Sequence, residues 1–303
     1  MKIGVAGAGA VGCHYGSLLQ QAGHAVSYLA RGKHLAALLH DGLLHVTGGV
    51  ETRLAVQASD DAALLGDAEV ILLAGKMTDF TGLLESLLPH VSADVLFVTL
   101  QNGVAAPDMV AQTFPHHAIA AGTAFIGARI ERPGVVVHSA AGGIRLGRWQ
   151  HGAGDVLLQP LIEALQQAGV PVDEEPDARL LLWRKLLWNC GFNALTAITR
   201  RFARDMAADA ATLRLVRGAM QETVAVAQAD GVALQDAEID NYVQVTLQVG
   251  PVKTSMWQDI ERGRPTEVDF INGFVVQRGA ELGVATPVND MLTALVHAIE
   301  GGE

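Results

Sequence analysis

Met1-Lys2-Ile3-Gly4-Val5-Ala6-Gly7-Ala8-Gly9-Ala10-Val11-Gly12 is the stretch that decides the fold. An apolar run (Ile3, Val5, Ala6) leads into three glycines ordered G-x-G-x-x-G, and Val11, Tyr15, Leu18, Leu19 and Ala22 follow at helical spacing. Gly23 closes that helix, and a second apolar run, Ala25, Val26, Tyr28 and Leu29, ends at Arg31. Strand, glycine turn, helix and strand make a βαβ unit of dinucleotide-binding length. Gly7 permits the tight turn, Gly9 lets backbone approach a pyrophosphate, and Gly12 lets the helix pack on the strand. Gly7, Ala8, Gly9, Ala10, Val11 and Gly12 are thus the candidate phosphate-binding residues, at a helix N-terminus that favours anions.

The end of the second strand selects the dinucleotide. An acidic residue there would accept hydrogen bonds from an adenosine ribose hydroxyl, whereas Arg31 offers a planar fork of donors to a ribose phosphate. The expected cofactor is NADP(H). Lys33 either adds charge nearby or is a solvated loop lysine.

Outward from this unit, 303 residues suffice for two domains, and a 50% hydrophobic composition excludes disorder. A net charge of −11 argues against a broad basic surface, so neither nucleic acid nor membrane is an expected partner and an anionic cofactor needs local positive groups. Lys2 and the glycine-broken run after it read as a first strand rather than an export signal. Cys13 and Cys190 are far apart and form no C-x-x-C pair, which suits a reducing cytoplasm and core thiols. The 11 histidines are scattered, and His116-His117 reads as a solvated loop pair rather than a metal site. The chain is expected to be a monomer or homodimer.

Strand candidates recur near Leu43–Thr47, Leu54–Gln57, Val70–Ala74 and Val95–Leu100, alternating with helical segments, as in a doubly wound sheet. Ligands in such sheets sit beyond the carboxyl ends of the strands, where Lys76 and Asn102-Gly103 fall. Lys76 can reach a phosphate or ribose, and Asn102 a nicotinamide ribose or a substrate; read singly, they are equally an exposed lysine and a plain turn residue. Gly122–Gly147 reads as further strands broken by Pro133-Gly134 and Gly142-Gly143. A helix over Val156–Ala168 and a strand at Val170–Val172 complete a Rossmann-type domain of residues 1–175. Residues 176–303 form an all-helical domain, with helices over Asp177–Ile198, Ala210–Asp230, Asp236–Gln248, two within Thr254–Gly283, and Val288–Ile299. The fold class is α/β with a helical C-terminal domain.

Lys185, Asn189 and Asn193 are four apart and form one polar line on a helix otherwise rich in Leu, Trp and Phe. Alone, that line reads more readily as an exposed lysine with two backbone-paired asparagines. Lining a cleft opposite the cofactor, Lys185 would have a lowered pKa suited to protonating a carbonyl oxygen as hydride reaches carbon, with the asparagines orienting the substrate.

With these residues in view the chain resembles the ketopantoate reductases over essentially its whole length. The resemblance is carried by Gly7-x-Gly9-x-x-Gly12 with Arg31, Gly75-Lys76, Gln101-Asn102-Gly103, and Lys185-x-x-x-Asn189-x-x-x-Asn193. Ser255-Met256-x-x-Asp259, the run Thr266 to Gly273, and Thr286-Pro287-x-Asn289 complete it. It implies NADPH-dependent reduction of the 2-oxo acid ketopantoate to pantoate in pantothenate biosynthesis. Lys185 would be the general acid, Asn189, Asn193 and Ser255 substrate ligands, and Asn102 a contact to both cofactor and substrate. Glu267 would touch the nicotinamide end and help hold Lys185. By its own sequence context, Glu267 is a first-turn helix carboxylate capped by Thr266, and Ser255 a helix-start residue. One position departs: Ala203, in Arg200-Arg201-Phe202-Ala203-Arg204, stands where well-studied members carry a further substrate-binding asparagine. That keeps alive a paralogous reductase of another 2-oxo or 3-oxo acid. A non-catalytic NADPH sensor, the rival of another class, would have no need of the lysine and asparagine line.

Overall fold

β1 (Lys2–Ala6) is buried from Ile3 to Ala6, as a strand covered on both faces requires. After it come α1 (Ala10–Gln21), β2 (Ala25–Leu29), α2 (Gly32–Asp41), β3 (Leu43–Thr47), β4 (Val50–Leu54), β5 (Gln57–Ser59), β6 (Val70–Leu73), α3 (Phe80–Leu87) and β7 (Leu96–Thr99). Then follow α4 (Ala106–Thr113), β8 (Ala118–Arg132), β9 (Val135–Gln150), α5 (Leu158–Gln167) and β10 (Val172–Glu174). The computed structural model describes residues 1–248 and 250–301, so Val249, Gly302 and Glu303 of the expected helical domain lie outside the described residues. By internal packing the chain divides into one unit of Met1–Gln101 with Ala106–Leu181, and a second of Asn102–Ala105 with Leu182–Glu303.

In the first unit the strands run β5-β2-β1-β6-β7-β8, all parallel, in the order 3-2-1-4-5-6 of a dinucleotide-binding sheet. The direction of winding reverses between β1 and β6, where Ile3 pairs with Val70 and Ala6 with Leu73. Antiparallel β9 extends the sheet beyond β8, and the β3–β4 hairpin, early in sequence, pairs onto β9, so the sheet curls. α1 and α5 lay Tyr15, Leu19, Leu161 and Leu165 into the core with Val5, Leu72 and Val98 of the sheet. Burying such side chains is worth about 1.5–3 kcal/mol each.

In the second unit, α6 (Ala178–Thr199), whose first residues belong to the first unit, is followed by α7 (Ala203–Ala208), α8 (Ala210–Ala229), α9 (Ala237–Gln248), α10 (Ser255–Glu261), α11 (Asn272–Leu282) and α12 (Pro287–Glu300). Trp183, Leu186, Leu187, Cys190 and Phe192 of α6 are fully buried. Pro287 occupies the first turn of α12, where its missing N–H costs nothing.

Several local expectations need correction. The segment Leu54–Gln57 is not one strand. The chain turns at Gly48-Gly49, β4 ends at Leu54, and β5 starts at Gln57, so the expected strand covers a junction. Gly142-Gly143 does not break β9: with Ala141 at φ 55° it forms an irregularity in the β8–β9 ladder, which continues past it. His117 is no solvated partner of His116. It packs edge-on against Phe114, and its Nε2 pairs with the Ser92 carbonyl at 3.0 Å. The stretch Arg200–Arg204 is not merely a solvated face, because Ala203 is buried and opens α7.

Candidate active site

The glycine loop owes its shape to close backbone contacts. Gly7 has φ +99°, and a Cβ there would lie 2.3 Å from the Gly75 nitrogen, so the turns after β1 and β6 touch where the sheet reverses. A Cβ at Gly12 would lie 2.5 Å from the Gly7 oxygen, which requires glycine for α1 to sit against the loop. Gly9 differs: the nearest atom to its added Cβ would be the Ala74 oxygen, 4.0 Å away. The Ala8 N–H donates to the Leu29 carbonyl at 3.0 Å and ties the loop to β2. α1 starts with no side-chain cap and no acidic residue in its first turn, which leaves the amides at Ala10 and Val11 to an outside acceptor. A roomy Gly9 beside an uncapped helix start fits a pyrophosphate. Arg31 is exposed two residues beyond β2, and Lys76, partly buried, precedes the 3-10 turn Met77–Asp79 directly after Gly75. The first unit therefore gathers the loop and the start of the Lys76 turn at one end of its parallel strands.

The second unit gathers the side-chain chemistry. Asn189 and Asn193 of α6 are buried, and neither Asn189 Nδ2 nor Asn193 Oδ1 has a hydrogen-bond partner. Buried polar atoms left open are costly and ask for a ligand. Burial lowers the Lys185 pKa to about 8, while the Glu267 charge works against the lowering. Glu267 Oε2 accepts from Asn102 Nδ2 at 3.1 Å. Glu267 is itself the N-cap residue of the 3-10 turn Val268–Phe270, which has no side-chain cap, so the expected first-turn carboxylate capped by Thr266 is not formed; the Thr266 hydroxyl, one residue earlier, accepts from the Val268 N–H at 3.3 Å. Gly103, at φ +86°, brings Asn102 there: an added Cβ would lie 2.5 Å from the Phe270 oxygen, so only glycine allows the approach.

Ser255 is the exposed first residue of α10, and the cap of that helix is its neighbour Thr254, whose hydroxyl accepts from the Trp257 N–H. Thr254 and Thr196 share a hydroxyl hydrogen bond of 2.7 Å, and Thr196 donates to the Asn193 carbonyl at 3.0 Å. This bridge joins the asparagine end of α6 to the start of α10. Sequence reading assigned no role to Thr196 or Thr254, though Thr196 continues the spacing of Asn189 and Asn193 by one helical step of three. It quoted Gln101 within a motif but gave it no role, although it is buried with both amide atoms unpartnered, and it missed Thr123 of β8, whose buried hydroxyl is likewise open. Beside Ala203, Phe202 stacks obliquely on Trp257 with ring centroids 5.4 Å apart.

Among the described residues no cluster of His, Cys, Asp and Glu is placed to hold a metal, and no helix is long and apolar enough to cross a membrane.

Two family models match the chain: "Ketopantoate reductase PanE/ApbA" over residues 3–151 and "Ketopantoate reductase PanE/ApbA C terminal" over residues 177–300. A 2-dehydropantoate 2-reductase of Nostoc sp. is 30% identical over 99% of this chain and 94% of its own length. The crystal structure of a PanE/ApbA family ketopantoate reductase from Ralstonia eutropha superposes with a TM-score of 0.92 at 34% identity, covering 100% of this chain and 99% of the other. A D-mandelate dehydrogenase in ternary complex with NADH and anilino(oxo)acetate superposes with a TM-score of 0.93 at 26% identity, over 100% and 99% of the two chains.

Proposed function

The chain belongs to the ketopantoate reductase family, a family of NADP-dependent oxidoreductases, and we propose that it reduces ketopantoate to pantoate with Lys185 as the general acid. The observation that carries this reading is the cluster in the second unit: a desolvated lysine beside Glu267, with the open amide atoms of Asn189 and Asn193 on the same helix.

NADPH, when bound, supplies the hydride that the carbonyl carbon accepts. The Gly7–Gly12 loop and the start of α1 would hold its pyrophosphate, Arg31 its ribose phosphate, and Lys76 a phosphate or ribose oxygen. Lys185 Nζ gives a proton to the carbonyl oxygen, which becomes the hydroxyl of the product, and regains a proton from solvent. Glu267 favours the ammonium form of Lys185 and so keeps that proton available near neutral pH. Asn102 holds Glu267 through its amide and would contact the substrate as well. Asn189, Asn193 and Ser255 orient the 2-oxo acid, the two asparagines through the amide atoms that the fold leaves open.

A second reading has an observation in its favour. Ala203 is buried next to the Phe202–Trp257 ring pair and offers no side-chain hydrogen bond, which suits a 2-oxo acid with an apolar or aromatic substituent. The test is NADPH oxidation by the purified protein with ketopantoate beside an aromatic 2-oxo acid. A higher kcat/KM for ketopantoate supports the first reading, and the reverse order replaces it with the second.

A further inference from the structure

We propose that Glu222, Asn289 and Asn272 form a positioning relay that fixes α6 against the segment bearing Glu267 and thereby sets the charge felt by Lys185. The inference rests on Lys185 being the proton donor.

The relay is continuous. Glu222 of α8 accepts from the Val288 N–H at 2.8 Å, from the Asn289 N–H at 2.9 Å and from Asn289 Nδ2 at 2.7 Å, so it supplies the start of α12 with the cap that Thr286 does not. Asn289 Nδ2 also donates to the Ala219 carbonyl of α8 at 3.0 Å. Its Oδ1 accepts from Asn272 Nδ2 at 2.9 Å, and the same Asn272 amide donates to the Cys190 carbonyl of α6 at 3.1 Å. Asn272 and Asn289 are both 0% exposed, where such bonds polarise one another and resist water.

The two ends of the relay are what give it a function. Cys190 lies five residues beyond Lys185 on α6, and Asn272 lies five residues beyond Glu267, across the single 3-10 turn Val268–Phe270. One side chain therefore pins the helix carrying the lysine to the turn carrying its carboxylate. Asn272 Oδ1 is buried with no partner, a cost that a leucine of similar size would avoid. Stability alone does not account for an asparagine here; what its amide holds does. Of the other charges on α6, Arg179 lies over the Trp149 ring, 4.9 Å from its centroid, and Arg184 is paired with Glu238 of α9. Glu222, on α8, acts on the Cys190 thiol, which burial already raises to about 12. The carboxylate that acts on Lys185 is Glu267.

The experiment is the pH profile of kcat/KM for the 2-oxo acid in the wild type, Asn272→Leu, Glu267→Gln and the double variant. In the wild type the rate falls with rising pH as Lys185 deprotonates. Asn272→Leu is expected to move that fall to lower pH by about half a unit or more, because a looser Glu267 favours the ammonium less. In the Glu267→Gln background Asn272→Leu should move the profile no further. A profile of Asn272→Leu that superposes on the wild type, or a shift that persists without Glu267, overturns the relay. A wild-type profile with no such fall overturns the proton-donor reading and the relay with it. Should Asn272→Leu fail to fold, Asn272→Ser keeps a donor too short to span both acceptors and gives the same comparison.

Discussion

Each unit buries a cluster of titratable side chains, and the two clusters end differently. In the first unit His14 of α1 pairs with His45 of β3, Nδ1 to Nε2 at 2.9 Å, and stacks on His138 of β9 with centroids 4.4 Å apart. His138 pairs with the Thr47 hydroxyl at 2.9 Å and with the Ala141 carbonyl at 2.8 Å. In the second unit the half-buried Lys185 stands on one helix face with the buried Asn189 and Asn193, whose amides keep open valences. Burial lowers a pKa in both places, His14 to about 3 and Lys185 to about 8. Burial and a shifted pKa therefore do not mark a site by themselves. What separates the two is hydrogen bonding that closes among the histidines and their neighbours, against amide valences left open on the same helix face as a lysine of lowered pKa.

The sharpest way to break this distinction is Lys185→Ala. Loss of a general acid is expected to lower kcat by about 10²–10⁴-fold with NADPH affinity retained, measured by steady-state kinetics and cofactor fluorescence titration. An equally large loss from His14→Gln would put chemistry in the wrong unit. Next, Asn193→Leu should raise the KM for the 2-oxo acid by roughly 10–100-fold, since hydrogen bonds to charged groups are worth about 1.5–3 kcal/mol, while thermal stability holds or rises. A large drop in melting temperature with unchanged KM would make Asn193 structural.

Arg31→Ala tests the cofactor half and should weaken NADPH by about 10-fold or more while leaving NADH nearly as before. Equal weakening of both would remove the ribose phosphate as its partner.

The effect of the histidines is confined to acid pH. The folded-state pKa of His14 lies below the unfolded value, so above about pH 6.5 both states are neutral and the group is without effect. As pH falls below that, the unfolded chain takes up a proton the folded chain refuses, and stability drops by about 1.4 kcal/mol per pH unit for this group until its folded pKa is reached. Acid unfolding followed by circular dichroism should start at lower pH in His14→Gln, and an unchanged midpoint would show that the cluster is not the acid-sensitive element.

What could be read from the chain alone follows from where the information lies. The glycine loop was legible because its function resides in backbone geometry, and glycine at Gly7 and Gly12 is the direct signature of the contacts made there. The line Lys185, Asn189, Asn193 was legible because helical periodicity puts residues four apart on one face. The asparagine–glutamate relay and the histidine cluster were not, because their members sit on separate elements: His14 and His138 meet only when β9 and α1 pack on the curled sheet. The β4–β5 junction was missed for a local reason, since Leu54 and Gln57 share an apolar-polar pattern that alternation cannot divide. Short α7 was missed because six residues give too little periodicity, and the arginines around Ala203 masked its buried side.

The most direct measurement is kcat/KM for ketopantoate with NADPH in the wild-type protein, followed from about pH 6 to about pH 10. If Lys185 donates the proton from its desolvated position beside Glu267, the rate is level at neutral pH and falls about tenfold per unit above a break near 8, the pKa to which burial brings this lysine. A rate that holds level to the alkaline end of that range would contradict the assignment.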